Sequence, residues 1–408
     1  MTTFSVAVIG GGIGGLALAH GLRRAGIAVD VYERTRERTD WLQGYRIHIN
    51  PAGAGALHRC LPPASWQSFL DTVSTGDGGF GFLTDQATEL LGLADAVIND
   101  PRAAPPDRHY GVSRIRLREI LLDGLSDVVH LGRDFTGYEV AGDRVTARFA
   151  DGGTATADVL VGADGANSRV RGQLLPHAAH RVDTGVVAVA GRYRLTPESC
   201  AGLPAALTSR ANLVVPRGRG SLFTAVWRGT VEPDTAIWGF SDAAARFPAD
   251  VSELDGRTLR RLVLDRMAGW SPAFHRLVGG SDPATVNALR VRSAAPVDPW
   301  PTGRVTLLGD AIHNMTPMAG VGANTALRDA DLLRRELTAA PGGDPVPALA
   351  RYEREMLRYG FAAVRQSLRN AEQAAHSTAL GRAGLRTMLR LTAAVPPVRR
   401  RMARSLGS

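Results

Sequence analysis

Phe4-Ser5-Val6-Ala7-Val8-Ile9, Gly10-Gly11-Gly12-Ile13-Gly14-Gly15, Leu16-Ala17-Leu18-Ala19-His20-Gly21-Leu22-Arg23-Arg24-Ala25-Gly26 and Ile27-Ala28-Val29-Asp30-Val31-Tyr32-Glu33 follow one another at the start of the chain. The first run has the length and apolar content of a buried strand. Leu18, Leu22 and Ala25 lie near one helical face, and Gly26 ends that helix. The last run is a second strand, closed by an acid. Strand, helix and strand therefore enclose Gly10-x-Gly12-x-x-Gly15 at the first turn. Gly10 allows the tight turn, Gly12 lets the backbone approach a pyrophosphate, and Gly15 lets helix and strand pack closely. The helix terminus aims unpaired N–H groups at the phosphates. Glu33 stands where a carboxylate accepts hydrogen bonds from an adenosine ribose. An acid there disfavours a 2′-phosphate, so FAD or NAD fits better than NADP.

The rest of the 408 residues is enough chain for a second domain. A hydrophobic fraction of 44% with 21% charged residues is that of a folded globular chain. Two cysteines, Cys60 and Cys200, exclude a disulfide scaffold and a four-cysteine zinc site, and no compact metal-ligand group is visible. All 48 basic residues are arginine, which excludes a Schiff-base or P-loop lysine. Of the net charge of +9, seven units come from Arg382, Arg386, Arg390, Arg399, Arg400, Arg401 and Arg404, with no acid from 381 to 408. The body is thus close to neutral and no nucleic-acid surface is expected on it. The tail reads as a solvated, frayed end, or as a contact for RNA, DNA or acidic lipid. The longest apolar stretch, residues 4–19, lacks a basic leader, carries five glycines and falls short of the roughly 20 residues of a membrane span. The expectation is a cytoplasmic protein without an integral membrane segment.

Two further glycine-centred segments repeat the strand–turn–helix theme. Asp158-Val159-Leu160-Val161-Gly162 runs into Ala163-Asp164-Gly165-Ala166-Asn167-Ser168-Arg169-Val170-Arg171, where Asn167 or Ser168 can cap a helix and Arg171 can reach an anion or Asp164. Arg304-Val305-Thr306-Leu307-Leu308-Gly309-Asp310 leads through Pro317 to Gly320-Val321-Gly322, just before a helix predicted from Ala323 to Leu337. Asp310 follows a buried strand, a position suited to binding a ligand hydroxyl. The N–H groups at 320–322 would face a partial negative charge.

Between these segments, 40–110 reads as irregular, with Pro62, Pro63, Pro101, Pro105 and Pro106 at turns and one strand, 44–49. A helix is predicted over 113–125, strands over 128–131, 137–149 and 154–161, and a strand-rich block over 183–245. Residues 253–276 and most of 322–392 read as helical. The fold class is α/β: a Rossmann-like, glutathione-reductase-type nucleotide-binding domain with an inserted antiparallel-sheet domain and C-terminal helices. The expected division is 1–171 (with 40–110 contributing to the substrate region), 172–290 for the substrate domain, 291–375 completing the first domain, and 376–408 as a helical, arginine-rich tail.

The chain resembles the single-component FAD-dependent aromatic hydroxylases of the para-hydroxybenzoate hydroxylase class. The N-terminal GxGxxG, the Asp164-Gly165 pair and the Gly309-Asp310 pair carry the resemblance, which covers about residues 4–375. It implies FAD as resident cofactor and NAD(P)H as a transient co-substrate, in keeping with the absence of a second Rossmann motif. It implies hydroxylation or epoxidation of an aromatic or polyketide-like small molecule by O2 through a C4a-hydroperoxyflavin. Gly10, Gly12, Gly15, Glu33, Arg114, Asp164, Gly165, Asp310, Gly320, Val321 and Gly322 would bind the cofactor. Arg46 would lie near the flavin ring, Pro317 would wall its pocket, and His48 is the best-placed candidate base. Val321 stands where many relatives carry glutamine or another small polar residue; the backbone roles survive this. Val189, Phe223, Ala225 and Trp238 are expected to face a large, flat substrate. Other readings are an alkene-reducing FAD enzyme of the same superfamily and a flavin-binding protein without catalysis. A monomer or homodimer is expected.

Overall fold

The structure is a computed structural model describing residues 4–36, 46–74, 78–100, 102–178, 180–229, 233–340 and 343–405. Its first layer is a five-stranded sheet in the order Val305–Leu307, Val159–Gly162, Ser5–Ile9, Ala28–Glu33, Val129–Leu131. All four neighbouring pairs are parallel. Ile9 pairs with Gly162 and with Tyr32, and Gly162 pairs with Leu307, so the carboxyl ends of the central strands are level. The chain passes from Ser5–Ile9 to a neighbour on one side and later fills the other. This makes a topological switch point, where open α/β sheets bind ligands. The helices Ile13–Arg24 and Gly322–Thr338 lie together on one face; a Cβ on Gly21 would sit 2.6 Å from Arg334 Cδ.

The predicted strands 137–149 and 154–161 each divide in two. Phe135–Ala141, Arg144–Phe149 and Thr154–Ala157 form a small antiparallel sheet, with a turn at Gly142 (φ +58°). Val159–Gly162 belongs to the parallel sheet. The predicted helix over 113–125 is Arg114–Leu122, capped by the Ser113 side chain.

The 40–110 region is not irregular where it is described. Asn50 caps the helix Pro51–Cys60 by accepting the Gly53 N–H at 3.0 Å, and Pro63 occupies the first turn of Pro63–Asp71. Proline starts these helices because its missing N–H has no intrahelical partner there. Residues 44 and 45 of the predicted strand lie outside the described residues; Arg46–Ile49 is a strand paired with Tyr110–Ser113.

The second layer is a seven-stranded sheet in the order Asn287–Ala294, Arg181–Arg194, Thr235–Ala243, Ser221–Trp227, Ala211–Val214, Phe80–Leu83, Glu89–Leu93. The strand Asn287–Ala294 is absent from the sequence reading, because Arg290, Arg292 and Asn287 interrupt its apolar pattern. On one face Val187, Val189, Trp238 and Phe240 pack on Leu259, Val263, Phe274 and Leu277 of the helices Gly256–Arg266 and Pro272–Gly279. On the other face Val186, Ala188 and Val291 meet Ala371 and Ala375 of the long helix Val346–His376. At the far edge of that second face, Phe82, Leu91 and Leu93 pack with Leu389 and Ala403. These last two belong to the helices Ala379–Ala394 and Pro396–Ser405. The tail is therefore docked, not frayed. Arg386 pairs with Asp85 at 3.1 Å, and Arg382 donates to the Ser377 carbonyl at 2.6 Å; both are buried.

Candidate active site

The glycine turn does what its spacing demands. Gly10 has φ +115°, and a Cβ there would lie 2.3 Å from the Ala163 carbonyl oxygen. A Cβ on Gly15 would lie 2.2 Å from the Gly10 carbonyl oxygen. Gly12, by contrast, precedes the helix Ile13–Arg24 and has nothing within 4 Å of an added Cβ. The open space is on the side where the helix N–H groups have no intrahelical partner. Glu33 is buried; its Oε2 accepts the Gly11 N–H at 2.6 Å and its Oε1 the Thr35 N–H at 2.9 Å. A carboxylate has about four acceptor sites, so both oxygens retain capacity for a ligand hydroxyl. Arg118, not named by the sequence reading, is buried and its Nε donates to the Gly11 carbonyl at 3.2 Å. It lies one helical turn beyond Arg114, beside Leu117 and Leu121. That spacing was the available signal. Arg114 itself is exposed at the start of the helix.

The second turn touches the first, since a Cβ on Gly10 would lie 2.9 Å from Asp164 Cα. Asp164 Oδ2 accepts the N–H groups of Arg169 at 2.8 Å and Val170 at 3.2 Å. Its Oδ1 is buried without a hydrogen-bond partner among the described residues. Burial raises the pKa of this carboxyl against the pull of those hydrogen bonds. Gly165 has φ +80° and open space around it. Arg171 is buried. It donates to the carbonyls of Ala166 at 3.0 Å and Ala311 at 2.8 Å, tying the second turn to the third.

In the third turn Gly309 (φ +64°) donates its N–H to Asp329 Oδ2 at 2.8 Å, and Asp310 stands exposed. Asp329 is fully buried; it also meets His313 Nε2 at 2.6 Å and accepts the Tyr359 hydroxyl. Burial opposes protonation of His313, but the Asp329 carboxylate outweighs it and raises the pKa. His313 thus braces the turn from behind.

Pro317 lies exposed on the short turn Pro317–Ala319, followed by Gly320 at φ +65° and the helix Gly322–Thr338, with Val321 at its N-cap. Asn324 joins this corner to the strand Arg46–Ile49. Its side chain donates to the His48 carbonyl at 2.8 Å and accepts the Asn50 N–H at 2.8 Å, and its Nδ2 lies 3.4 Å from the Gly320 carbonyl. The strand Arg46–Ile49 is thereby tied to this corner through the His48 carbonyl, by a residue, Asn324, that the sequence reading did not name. The Arg46 guanidinium lies over Gly111, whose added Cβ would be 2.5 Å from an Arg46 terminal nitrogen. Burial pulls its pKa down to about 10, and its Nε has no hydrogen-bond partner among the described residues. His48 Nε2 lies 3.0 Å from His109 Nδ1, with the rings stacked. Burial, then Arg46 and His109, depress the His48 pKa to about 3, so the ring is neutral at ordinary pH.

Met318 carries this corner to the seven-stranded sheet, its sulfur 4.0 Å from Ser241 Oγ. Ser241 shares a sheet face with Gly239, and the cross-strand register aligns Ala190, Gly239, Phe223 and Leu213 in one row. Phe223 is 39% exposed, and an added Cβ on Gly239 meets nothing within 4 Å. The helix Val346–His376 packs at one end of this face and Ala379–Ala394 at the other; the strip of sheet between them, with the exposed Phe223, is called the trough. Phe223 and Ala225 lie on the trough face. Val189 and Trp238 do not: strand alternation turns them to the opposite face, where Trp238 Nε1 donates to Ser281 Oγ at 2.7 Å. Among the described residues no group of three His, Cys, Asp or Glu side chains converges as a metal site. No helix among them is long and apolar enough to cross a membrane.

The open positions at Gly12 and Gly165 follow the carboxyl ends of two adjacent parallel strands, Ser5–Ile9 and Val159–Gly162, and Glu33 ends the next strand. This run of side-chain-free turns closed by a carboxylate fits an extended dinucleotide. The family model described as FAD binding domain matches residues 3–367. The chain is 33% identical over 369 residues to a 3-amino-4-hydroxybenzoate 2-monooxygenase of Streptomyces platensis, covering 85% of this chain and 83% of that protein. It is 32% identical over 380 residues to a dual O-methyltransferase/FAD-dependent monooxygenase of Phaeosphaeria nodorum, covering 80% of this chain but only 39% of that protein. The crystal structure of Klebsiella pneumoniae HpxO complexed with FAD and uric acid superposes with a TM-score of 0.83 at 25% identity, covering 100% of this chain and 97% of that one.

Proposed function

We infer that this chain, which belongs to the single-component FAD-dependent monooxygenases of the para-hydroxybenzoate hydroxylase class, uses NAD(P)H and O2 to hydroxylate a flat, multi-ring aromatic compound of polyketide type. The observation that carries the substrate reading is the trough. Its floor offers an apolar surface with an unopposed glycine, and the row Ala190, Gly239, Phe223 spans two strand intervals, roughly 10 Å at about 4.8 Å each. Three fused rings need about that width. The Streptomyces and Phaeosphaeria proteins, by their names, represent a single-ring substrate and a partner methyltransferase activity respectively.

Bound FAD supplies acceptance of reducing equivalents from NAD(P)H and activation of O2. The chain's residues supply position and dryness. Gly10 and Gly15 let the turn and helix pack closely while Gly12 admits the pyrophosphate, Glu33 takes the adenosine ribose, and Arg114 lies toward the phosphates. Asp310 takes a hydroxyl of the ribityl region. Asp164 and Gly165 line the side from which the nicotinamide arrives. The N–H groups at 320–322 stabilise negative charge on the reduced ring. Arg46 and Pro317 flank that ring, and Pro317 helps exclude water. His48, held neutral, serves as a hydrogen-bonding neighbour of the substrate, not as a stored proton. The seven-stranded sheet, mainly residues 172–290 with part of 40–110, is the substrate domain in this reading.

The test is NADPH-dependent O2 uptake with one-ring and three-ring phenols, with the product analysed for one added oxygen atom. Higher kcat/KM on the three-ring compounds is expected. Turnover confined to one-ring benzoates would remove the substrate reading, and alkene reduction without O2 uptake would remove the hydroxylase reading.

A further inference from the structure

The helix Ala379–Ala394 buries two arginines beside Leu389 and exposes several large apolar side chains. Its arginines Arg382 and Arg386 are buried against the sheet edge, whereas Leu380 is 86% exposed, Leu391 63%, Met388 47% and the following Val395 43%. At 3.6 residues per turn these four share one side of the helix. Ten large apolar side chains are exposed among the described residues, and six lie between 380 and 398, so this is a patch and not scatter. Arg390, Arg400 and Arg401 are exposed beside it, and no acid occurs from 377 to 408.

We propose that this face docks on an anionic lipid bilayer, with Leu380, Met388, Leu391 and Val395 entering the headgroup–acyl boundary and Arg390, Arg400 and Arg401 meeting lipid phosphates. An apolar stripe with an arginine-rich flank is the pattern of an interfacial helix. Nucleic acid would satisfy the arginines but leave four apolar side chains in water. A second copy of the chain on a two-fold axis would cover the apolar face but set the arginines against their own kind. An anionic membrane surface satisfies both. The buried side of the same helix walls the trough. Docking would thus hold the trough beside the phase in which a multi-ring aromatic compound dissolves; this last step alone rests on the proposed function.

The full chain loaded with FAD is sedimented with phosphatidylcholine vesicles and with equimolar phosphatidylcholine–phosphatidylglycerol vesicles. Binding to the anionic vesicles only is expected, weakened by salt as surface charge is screened. The double variant Leu380→Ser, Leu391→Ser and the triple variant Arg390→Glu, Arg400→Glu, Arg401→Glu should each weaken it on the order of tenfold or more, with FAD content unchanged. In the single variant Leu391→Trp, brominated acyl chains should quench emission beyond any quenching of the wild type. Absence of binding, equal binding by wild type and variants, or no added quenching at Trp-substituted 391 would overturn the proposal. So would a vesicle-free dimer that the leucine variants dissociate, or tighter binding to DNA or to an acidic protein. Turnover in detergent-free solution is read separately, so failure here and failure of the proposed function are distinct results.

Discussion

Gly12→Val separates ligand space from folding space in a way that few glycine substitutions do. Gly12 has φ −80° and ψ −179°, an extended conformation open to any residue, and nothing lies within 4 Å of its added Cβ. Valine is a poorer N-cap than glycine, a cost of about 1 kcal/mol at most. The FAD-free variant should therefore melt close to the FAD-free wild type. If the empty space belongs to the pyrophosphate, the valine displaces it from the helix terminus. Losing two charge-assisted hydrogen bonds at about 1.5–3 kcal/mol each weakens FAD binding by roughly a hundredfold to ten-thousandfold. Gly15→Val is the contrasting control: its Cβ would fall 2.2 Å from the Gly10 carbonyl oxygen, so the apoprotein itself should be destabilised. The assay is titration of apoprotein with FAD, followed by flavin fluorescence, beside thermal melts of the three apoproteins. A Gly12→Val protein that folds and binds FAD within about threefold of wild type would refute the reasoning.

Glu353 is buried beside Thr302, and burial raises its pKa to about 7, above the 4.5 of a free side chain. The fold favours the protonated form, so the contribution of Glu353 to stability is greatest below pH 4.5 and is lost as the pH rises through about 7; Glu353→Gln should remove that loss, on the order of 3 kcal/mol at pH 8, as measured by urea denaturation. Asp329→Asn should destabilise by about 3–5 kcal/mol at pH 5.5. His313 has a raised pKa, so its pairing contributes fully below its ordinary value and is lost as the pH rises through the folded one; the deficit of the variant should narrow at alkaline pH, and a deficit that widens would contradict the pairing. Gly239→Phe should leave FAD content and melting unchanged, because its Cβ is unopposed, while lowering kcat/KM at least tenfold for three-ring substrates; unchanged selectivity would place the substrate elsewhere.

Much of the nucleotide-binding half was legible because local and global demands agree there. The strand Ser5–Ile9, the helix after Gly12 and the strand ending at Glu33 are each fixed by a few adjacent residues, and the later turns at Asp164 and Gly309 follow buried strands. The failures have equally local causes. Pro63 was read as punctuation when it opens a helix, the helix opened by Pro51 was not read at all, and a strand rich in arginine, Asn287–Ala294, gave no clean alternation. Val189 and Trp238 were assigned a face without a register to decide it; a single-residue step in a strand reverses every side chain. The arginines at 382 and 386 were counted as solvated charge. Their partners, Asp85 and the carbonyls of Ser377 and Arg217, are distant in sequence or backbone groups, to which composition is blind.

The same reason explains why Arg118, Asn324 and Met318 escaped notice although they organise the site. Asn324 and Met318 make no recognisable pattern with their sequence neighbours, and Arg118 offers only its spacing from Arg114; each acts on a segment far away. Arg118 holds the first glycine turn through one carbonyl, and Arg171 holds the second and third turns together through two. Asn324 joins the strand of Arg46 and His48 to the 320 turn, and Met318 carries that turn to Ser241 on the seven-stranded sheet. Glycines can then remain side-chain-free at these positions because the turns are fixed from behind, not by contacts across the ligand space. A ligand entering that space displaces no protein side chain at Gly12, Gly165 or Gly320, so little of its binding energy is consumed in rearrangement. The motifs mark open backbone, and the long-range hydrogen bonds fix the three separate stretches of chain that carry them.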